Sequence, residues 1–159
     1  MEQRKLLEAV KAELGGEIDK TLYIRDNAFL CYDCDIDGTF VKLKFISNSE
    51  ISIDLNYKPP FYMEIHPQNK LIPILSKFKL FPHFALEIPY YIKFLSEENR
   101  EQLLTPKLID LLKELAPFAL IKFTHKELRI IKNINSTTTP EEVIKLIQDF
   151  LEFGKISSK

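Results

Sequence analysis

The sequence predicts an α+β fold: an antiparallel β-meander and a second β-hairpin, packed against three to four amphipathic helices. Three observations carry that expectation. Asp37-Gly38 joins two strand-like runs whose apolar residues fall on one face when paired across the turn. Residues 51–57 alternate apolar and polar at the strand period. Both ends of the chain repeat apolar residues at the helical period, with helix start and stop signals beside them.

The first helix is expected from Glu2 to Leu14, with Leu6, Leu7, Val10 and Leu14 on one face and Gly15-Gly16 ending it. Thr21 to Ile24 reads as an edge strand. Ala28 to Ile36 and Thr39 to Ser47 form the hairpin. Its register pairs Ile36 with Thr39, Cys34 with Val41, Tyr32 with Leu43 and Leu30 with Phe45 on the apolar face. The other face sets Asp33 against Lys42, an opposite-charge cross-strand pair, and Cys31 against Lys44. Ile51 to Tyr57 is a third meander strand. Pro59-Pro60 breaks it, and Phe61 to His66 is expected to add a fourth strand beside it.

Prolines 67, 73, 82 and 89 punctuate the next stretch, where a short helix at 69–77 and a strand at 85–88 are expected. Ser96 caps a helix reaching Leu104. Thr105-Pro106 starts another, with Leu108, Leu111, Leu112 and Leu115 as its buried stripe and Pro117 as its stop. Ala119 to Phe123 and Leu128 to Lys132 form the second hairpin around His125-Lys126. Thr139-Pro140-Glu141-Glu142 opens the last helix with a capping box. Val143, Ile144, Ile147, Phe150 and Leu151 are its inner face, and Gly154 is expected to close it.

At 159 residues the chain fits one domain, and its 45% hydrophobic and 28% charged composition is a globular balance. Net charge is −1, so no global positive field draws it to nucleic acid. There is no 18-residue apolar run and no apolar leader, so neither a membrane span nor export is expected and the cytoplasm is the expected compartment.

Candidate chemistry is sparse. Cys31 and Cys34 have redox-pair spacing, but residues three apart on a strand point to opposite faces. Asp33, Asp35 and Asp37 with Gly38 match half of a calcium loop. The twelfth position is Lys44, where a bidentate glutamate is needed. His66, His83 and His125 lack metal-type spacing and are expected in loops or turns, with no catalytic partner in view. The four glycines are each explained by a turn or a helix end, which leaves none for a phosphate loop. No metal, cofactor or catalytic residue is therefore assigned.

The feature that points to function is the aromatic, proline-rich stretch Phe78, Phe81, His83, Phe84, Tyr90 and Tyr91, which carries more apolar area than a short connection hides. The competing structural explanation is that these rings fill the core. The leading expectation is a non-enzymatic binding or scaffold domain that uses this aromatic surface for a protein partner or for self-association as a homodimer. The rival is a small-ligand or lipid-binding protein, or an enzyme, with a pocket between sheet and helices and Tyr32, Tyr57, Tyr62, His66 and His83 as polar candidates.

From Phe81 onward the chain also resembles uncharacterised bacterial proteins grouped as domains of unknown function. The matching residues are Phe84, Leu86 and Ile88, then Leu103-Leu104-Thr105-Pro106, Leu108 to Leu115, the hairpin, and Val143 to Leu151. The resemblance covers about the second half and implies fold rather than activity.

Overall fold

The computed structural model describes residues 3–24, 27–68, 83–86 and 88–157. Among the described residues nine antiparallel strands form one sheet: β1 (Glu17–Ile24), β2 (Asn27–Ile36), β3 (Thr39–Ser47), β4 (Glu50–Leu55), β5 (Met63–Pro67), β6 (His83–Ala85), β7 (Tyr90–Lys93), β8 (Leu120–Phe123) and β9 (Leu128–Asn133). Their order across the sheet is β1-β2-β3-β4-β9-β8-β5-β7-β6. The described helices are α1 (Gln3–Leu14), α2 (Glu97–Leu103), α3 (Pro106–Leu115) and α4 (Pro140–Ser157). The α+β class and the antiparallel meander stand as predicted.

The first hairpin has the predicted register, from Ile36↔Thr39 to Cys31↔Lys44. Asp37 and Gly38 both take positive φ, 52° and 79°, as a two-residue turn requires. The caps also form where the sequence places them. Thr105 Oγ1 accepts from the Leu108 amide at 3.3 Å, and Ser96 Oγ from the Asn99 amide at 3.3 Å. Thr139 and Glu142 exchange the reciprocal bonds of a capping box.

The inward residues of the strands meet all four described helices in one core. Val41, Leu43, Phe45, Ile53 and Ile130 from the sheet face Leu7, Val10, Leu108, Ile147 and Phe150, each fully buried. Alternation along β3 makes this legible: Val41, Leu43 and Phe45 are buried while Phe40, Lys42 and Lys44 stand on the other face.

Several expectations are corrected. The strand after Pro59-Pro60 does not extend the meander. β4 pairs with β9 instead, which sets Ile53 against Ile130 and Asp54 against Arg129. β5 lies two strands further on, between β8 and β7. Two consecutive prolines supply no amide donors for a tight hairpin, so the chain leaves the edge of β4 open. The strand expected at 85–88 is His83–Ala85, and Tyr90–Lys93 adds a strand that sequence reading left irregular. His83 accordingly sits in a strand rather than a loop, and His66 lies within the strand that the alternation from Phe61 predicts. Finally, Gly154 does not end the last helix, which continues to Ser157. The glycine is there because the Tyr57 ring packs against its Cα. In α3 and α4, Leu111 and Ile144 are only partly buried, while Leu146 and Phe153 join the core. The helix expected at 69–77 lies outside the described residues.

Candidate functional site on the outer face of the sheet

Strand register places one polar residue from each strand in a single row. Glu17, Asp33, Lys42, Asp54, Arg129, Lys122, Glu64, Lys93 and His83 are partners in turn from β1 to β6. Directly opposed residues on antiparallel strands share a face, so the row marks the face that turns away from the core. Its charges pair locally. Arg129 Nε meets Asp54 Oδ1 at 2.7 Å, Lys44 also binds Asp54, and Ser52 Oγ donates to it at 2.8 Å. Burial alone would raise the Asp54 pKa, but hydrogen bonds from Arg129, Lys44 and Ser52 outweigh it and hold the pKa below the usual carboxylate value.

A second cluster forms at the β8-β5-β7 end, where rings gather around Glu64. The Tyr62 hydroxyl donates to Glu64 Oε1 at 2.5 Å, His66 Nε2 lies 2.8 Å from Oε2, and Lys122 Nζ lies 3.1 Å from Oε1. These hydrogen bonds outweigh the desolvation that would raise the Glu64 pKa, and hold it at about 2. The His66 ring stacks on Tyr91 at 5.6 Å between centroids, and Phe94 packs on Tyr62 at 5.4 Å. Lys122 and Lys93 each place an ammonium 5.4 Å from a ring centre, over Tyr62 and Tyr91 respectively.

Phe94 is the outlier of this cluster. It is 42% exposed, and its φ is +66°, a conformation that a bulky side chain rarely adopts. Backbone strain of that kind concentrates where function demands a particular side-chain position.

The sequence-predicted surface is distributed unevenly. Tyr90 is a core residue: it is 5% exposed, its ring stacks on Phe118, and its hydroxyl accepts from the Phe118 amide at 3.0 Å. Tyr91, on the other face of the same strand, is 6% exposed beneath its neighbours. His83 and Phe84 occupy β6, the outermost described strand at this end of the sheet, in register with Lys93 and Ile92. Phe78 and Phe81 lie outside the described residues. Of the polar candidates of the rival reading, Tyr62 and His66 meet on Glu64. Tyr32 is buried and donates to the Gly15 carbonyl at 2.8 Å, and Tyr57 packs on α4. Sequence reading missed Glu64 and Lys122, which lie 58 positions apart. The usable signal was the alternation of Tyr62, Glu64 and His66, which aligns all three on one face.

The cysteines are both buried and separate. Cys34 belongs to the core, and Cys31 lies on the opposite face. Burial raises both thiol pKa values, which suits inert rather than reactive cysteines. Among the described residues no group of three or more His, Cys, Asp or Glu side chains is arranged to hold a metal ion. No described helix is long and apolar enough to cross a membrane.

Neither a protein-family model nor a curated protein sequence matches the chain. Among solved structures it is similar to the mycobacterial trehalose monomycolate transport factor A, with a TM-score of 0.70 and 9% identity. The match covers 97% of this chain and 93% of that one, and at this identity it is a likeness of fold.

Proposed function

We propose that this chain is a non-enzymatic binding or scaffold domain, working in the cytoplasm, that receives a protein partner on the outer face of the sheet. The contact surface centres on Phe94 and Tyr62, backed by the buried Tyr91, and extends towards strand β6. In its simplest form the partner is a second copy of the chain. The carrying observation is Phe94, an exposed ring held at positive φ on the face opposite the core. Around it, Glu64 takes up Lys122, His66 and the Tyr62 hydroxyl as partners, which makes a firm platform rather than a reactive centre. Aromatic rings are enriched at interface centres, and charged groups belong to the polar rim around them. A net charge of −1 favours protein over nucleic acid. A fold like that of a transport factor is compatible with such a role.

Phe94→Gly tests this directly. The substitution removes the ring but suits the backbone, so thermal stability should hold or rise while association is lost. Sedimentation of the parent protein should show a concentration-dependent dimer that Phe94→Gly abolishes. A parent that stays monomeric at every concentration removes the homodimer, and a variant that dimerises as well as its parent removes the surface.

A further inference from the structure

A half-buried lysine stands in a cleft on the core side of the sheet, remote from the Glu64 cluster. The cleft encloses about 380 Å³ between β9, the end of α3 and the first turns of α4. Its floor is apolar, formed by Ile51, Val143 and Leu146. Lys132 is the register partner of Ile51 and therefore leaves the sheet on the same side. Its Nζ donates to the Leu115 carbonyl at 2.9 Å, which seats the ammonium at the negative end of α3. An ammonium carries three donors, and this bond uses one.

The carboxylates nearby are engaged elsewhere. Asp149 holds Lys145 at 2.6 Å, Glu114 reaches the same Lys145 at 3.4 Å, and Glu142 accepts from the Thr139 amide in the capping box. Burial lowers the Lys132 pKa; Asp149 and Glu142 pull it back up, and Lys145 adds to the fall. A partly desolvated cation gains from an anion that replaces its lost water.

We propose that this cleft binds a small organic monocarboxylate with an apolar body, its carboxylate on Lys132 and its body on Ile51, Val143 and Leu146. The chemistry of the cleft selects that class. One cation with unspent donors calls for one negative charge. Glu114, Glu142 and Asp149 at the rim repel a dianion such as phosphate about twice as strongly as a monocarboxylate. The apolar floor gains nothing from an inorganic ion. A neighbouring hollow of about 320 Å³ shares Ile134, Asn135 and Thr138 with the cleft and continues to Leu6 and Phe45, which leaves room for a longer body. This site shares no residue with the outer-face surface, so either can fail without the other.

Octanoate is the probe, with octylamine and inorganic phosphate as controls, read by calorimetry and by methyl NMR of the full chain. Octanoate should bind one to one with a Kd of about 0.1–1 mM and shift the methyl signals of Ile51, Val143 and Leu146. Lys132→Met, which keeps the aliphatic stem, should weaken binding about tenfold or more, and Lys132→Arg should restore much of it. The proposal is overturned if octanoate fails to bind the parent protein, if its shifts fall elsewhere, or if Lys132→Met binds as well as the parent. Equal binding of octylamine or phosphate overturns the carboxylate assignment. If Lys132→Met does not fold, the shifts in the parent and the Lys132→Arg titration decide.

Discussion

Gly154→Ala should destabilise the protein, against the ordinary expectation for a glycine inside a helix. In an unobstructed helix the change to alanine stabilises by about 1 kcal/mol, because glycine loses more backbone freedom on folding. Here an added Cβ would lie 2.6 Å from Tyr57 Cδ2 and 3.3 Å from Leu128 Cδ2. Carbon atoms sit comfortably at about 3.5–4.0 Å, so the Tyr57 ring has to withdraw by about 1 Å. Overpacking of that size costs about 1–3 kcal/mol. The ring is partly buried and its hydroxyl sits 3.4 Å from Thr39 Oγ1, so its retreat is constrained. Taking a cost of about 2 kcal/mol against the gain leaves a net loss of about 1 kcal/mol, or about 2–4 °C in Tm for a chain of this size. In a Tyr57→Ala background the obstruction is gone and the same substitution should stabilise by about 1 kcal/mol. The two backgrounds then differ by a coupling energy of about 2 kcal/mol. Urea titrations of the four proteins, followed by circular dichroism, measure this cycle. If Gly154→Ala has the same effect with and without the ring, or stabilises the parent, the packing explanation for this glycine is wrong.

Two further outcomes follow from the buried polar groups. The folded-state pKa of Glu64 is depressed from 4.5 to about 2, and that of Asp54 is lowered from 3.8. Their stabilisation is therefore fully present above those ordinary values and is lost as pH falls through the folded ones. With allowance for the remaining exposure of Glu64, its share is about 2 kcal/mol, and Glu64→Gln should flatten the acid limb of urea-derived stability; an unchanged limb would sink this account. Native Cys31 and Cys34 should be nearly silent to a thiol-reactive chromophore and become reactive together on unfolding. They should form no mutual disulfide under mild oxidation, since three residues of strand separate their Cα atoms by about 10 Å, beyond the span of the bond. Rapid native labelling, or an internal cross-link found by mass spectrometry, would contradict the strand geometry.

Local signals in the sequence translated well into structure because the physics behind them is local. The Asp37-Gly38 turn sets the φ values its hairpin needs, and the alternating faces of Tyr32, Cys34, Val41 and Leu43 leave only one register that buries them together. The capping residues Ser96, Thr105 and Thr139 act within one turn of their own helices. What escaped sequence reading is set by partners far along the chain. Nothing between Glu50 and Leu55 announces that the neighbour of β4 is β9, because the complement of Asp54 is Arg129, 75 positions away. Gly154 has the look of a helix stop until Tyr57 is brought against it. The site followed the same pattern. The aromatic stretch directed attention to the β6–β7 end of the sheet, and Tyr62 and His66 were named, but their common partner Glu64 becomes visible only when β8 delivers Lys122 alongside. Tyr90 and Tyr91 are adjacent in sequence, yet strand alternation sends one into the core and the other to the opposite face.

The placement of β9 at the middle of the sheet has a consequence for biosynthesis. The meander β1–β4 and the unit β5–β7 are joined in the sheet through β8 and β9, which follow both of them in the chain and must be inserted between them. Until residue 133 has cleared the ribosome, β4 and β5 both wait with unpaired backbone, and the hydrophobic side of the meander waits longer still for α4. Such a chain closes its sheet only after its later strands have emerged, and while it waits its open strand margins are the natural targets of chaperones.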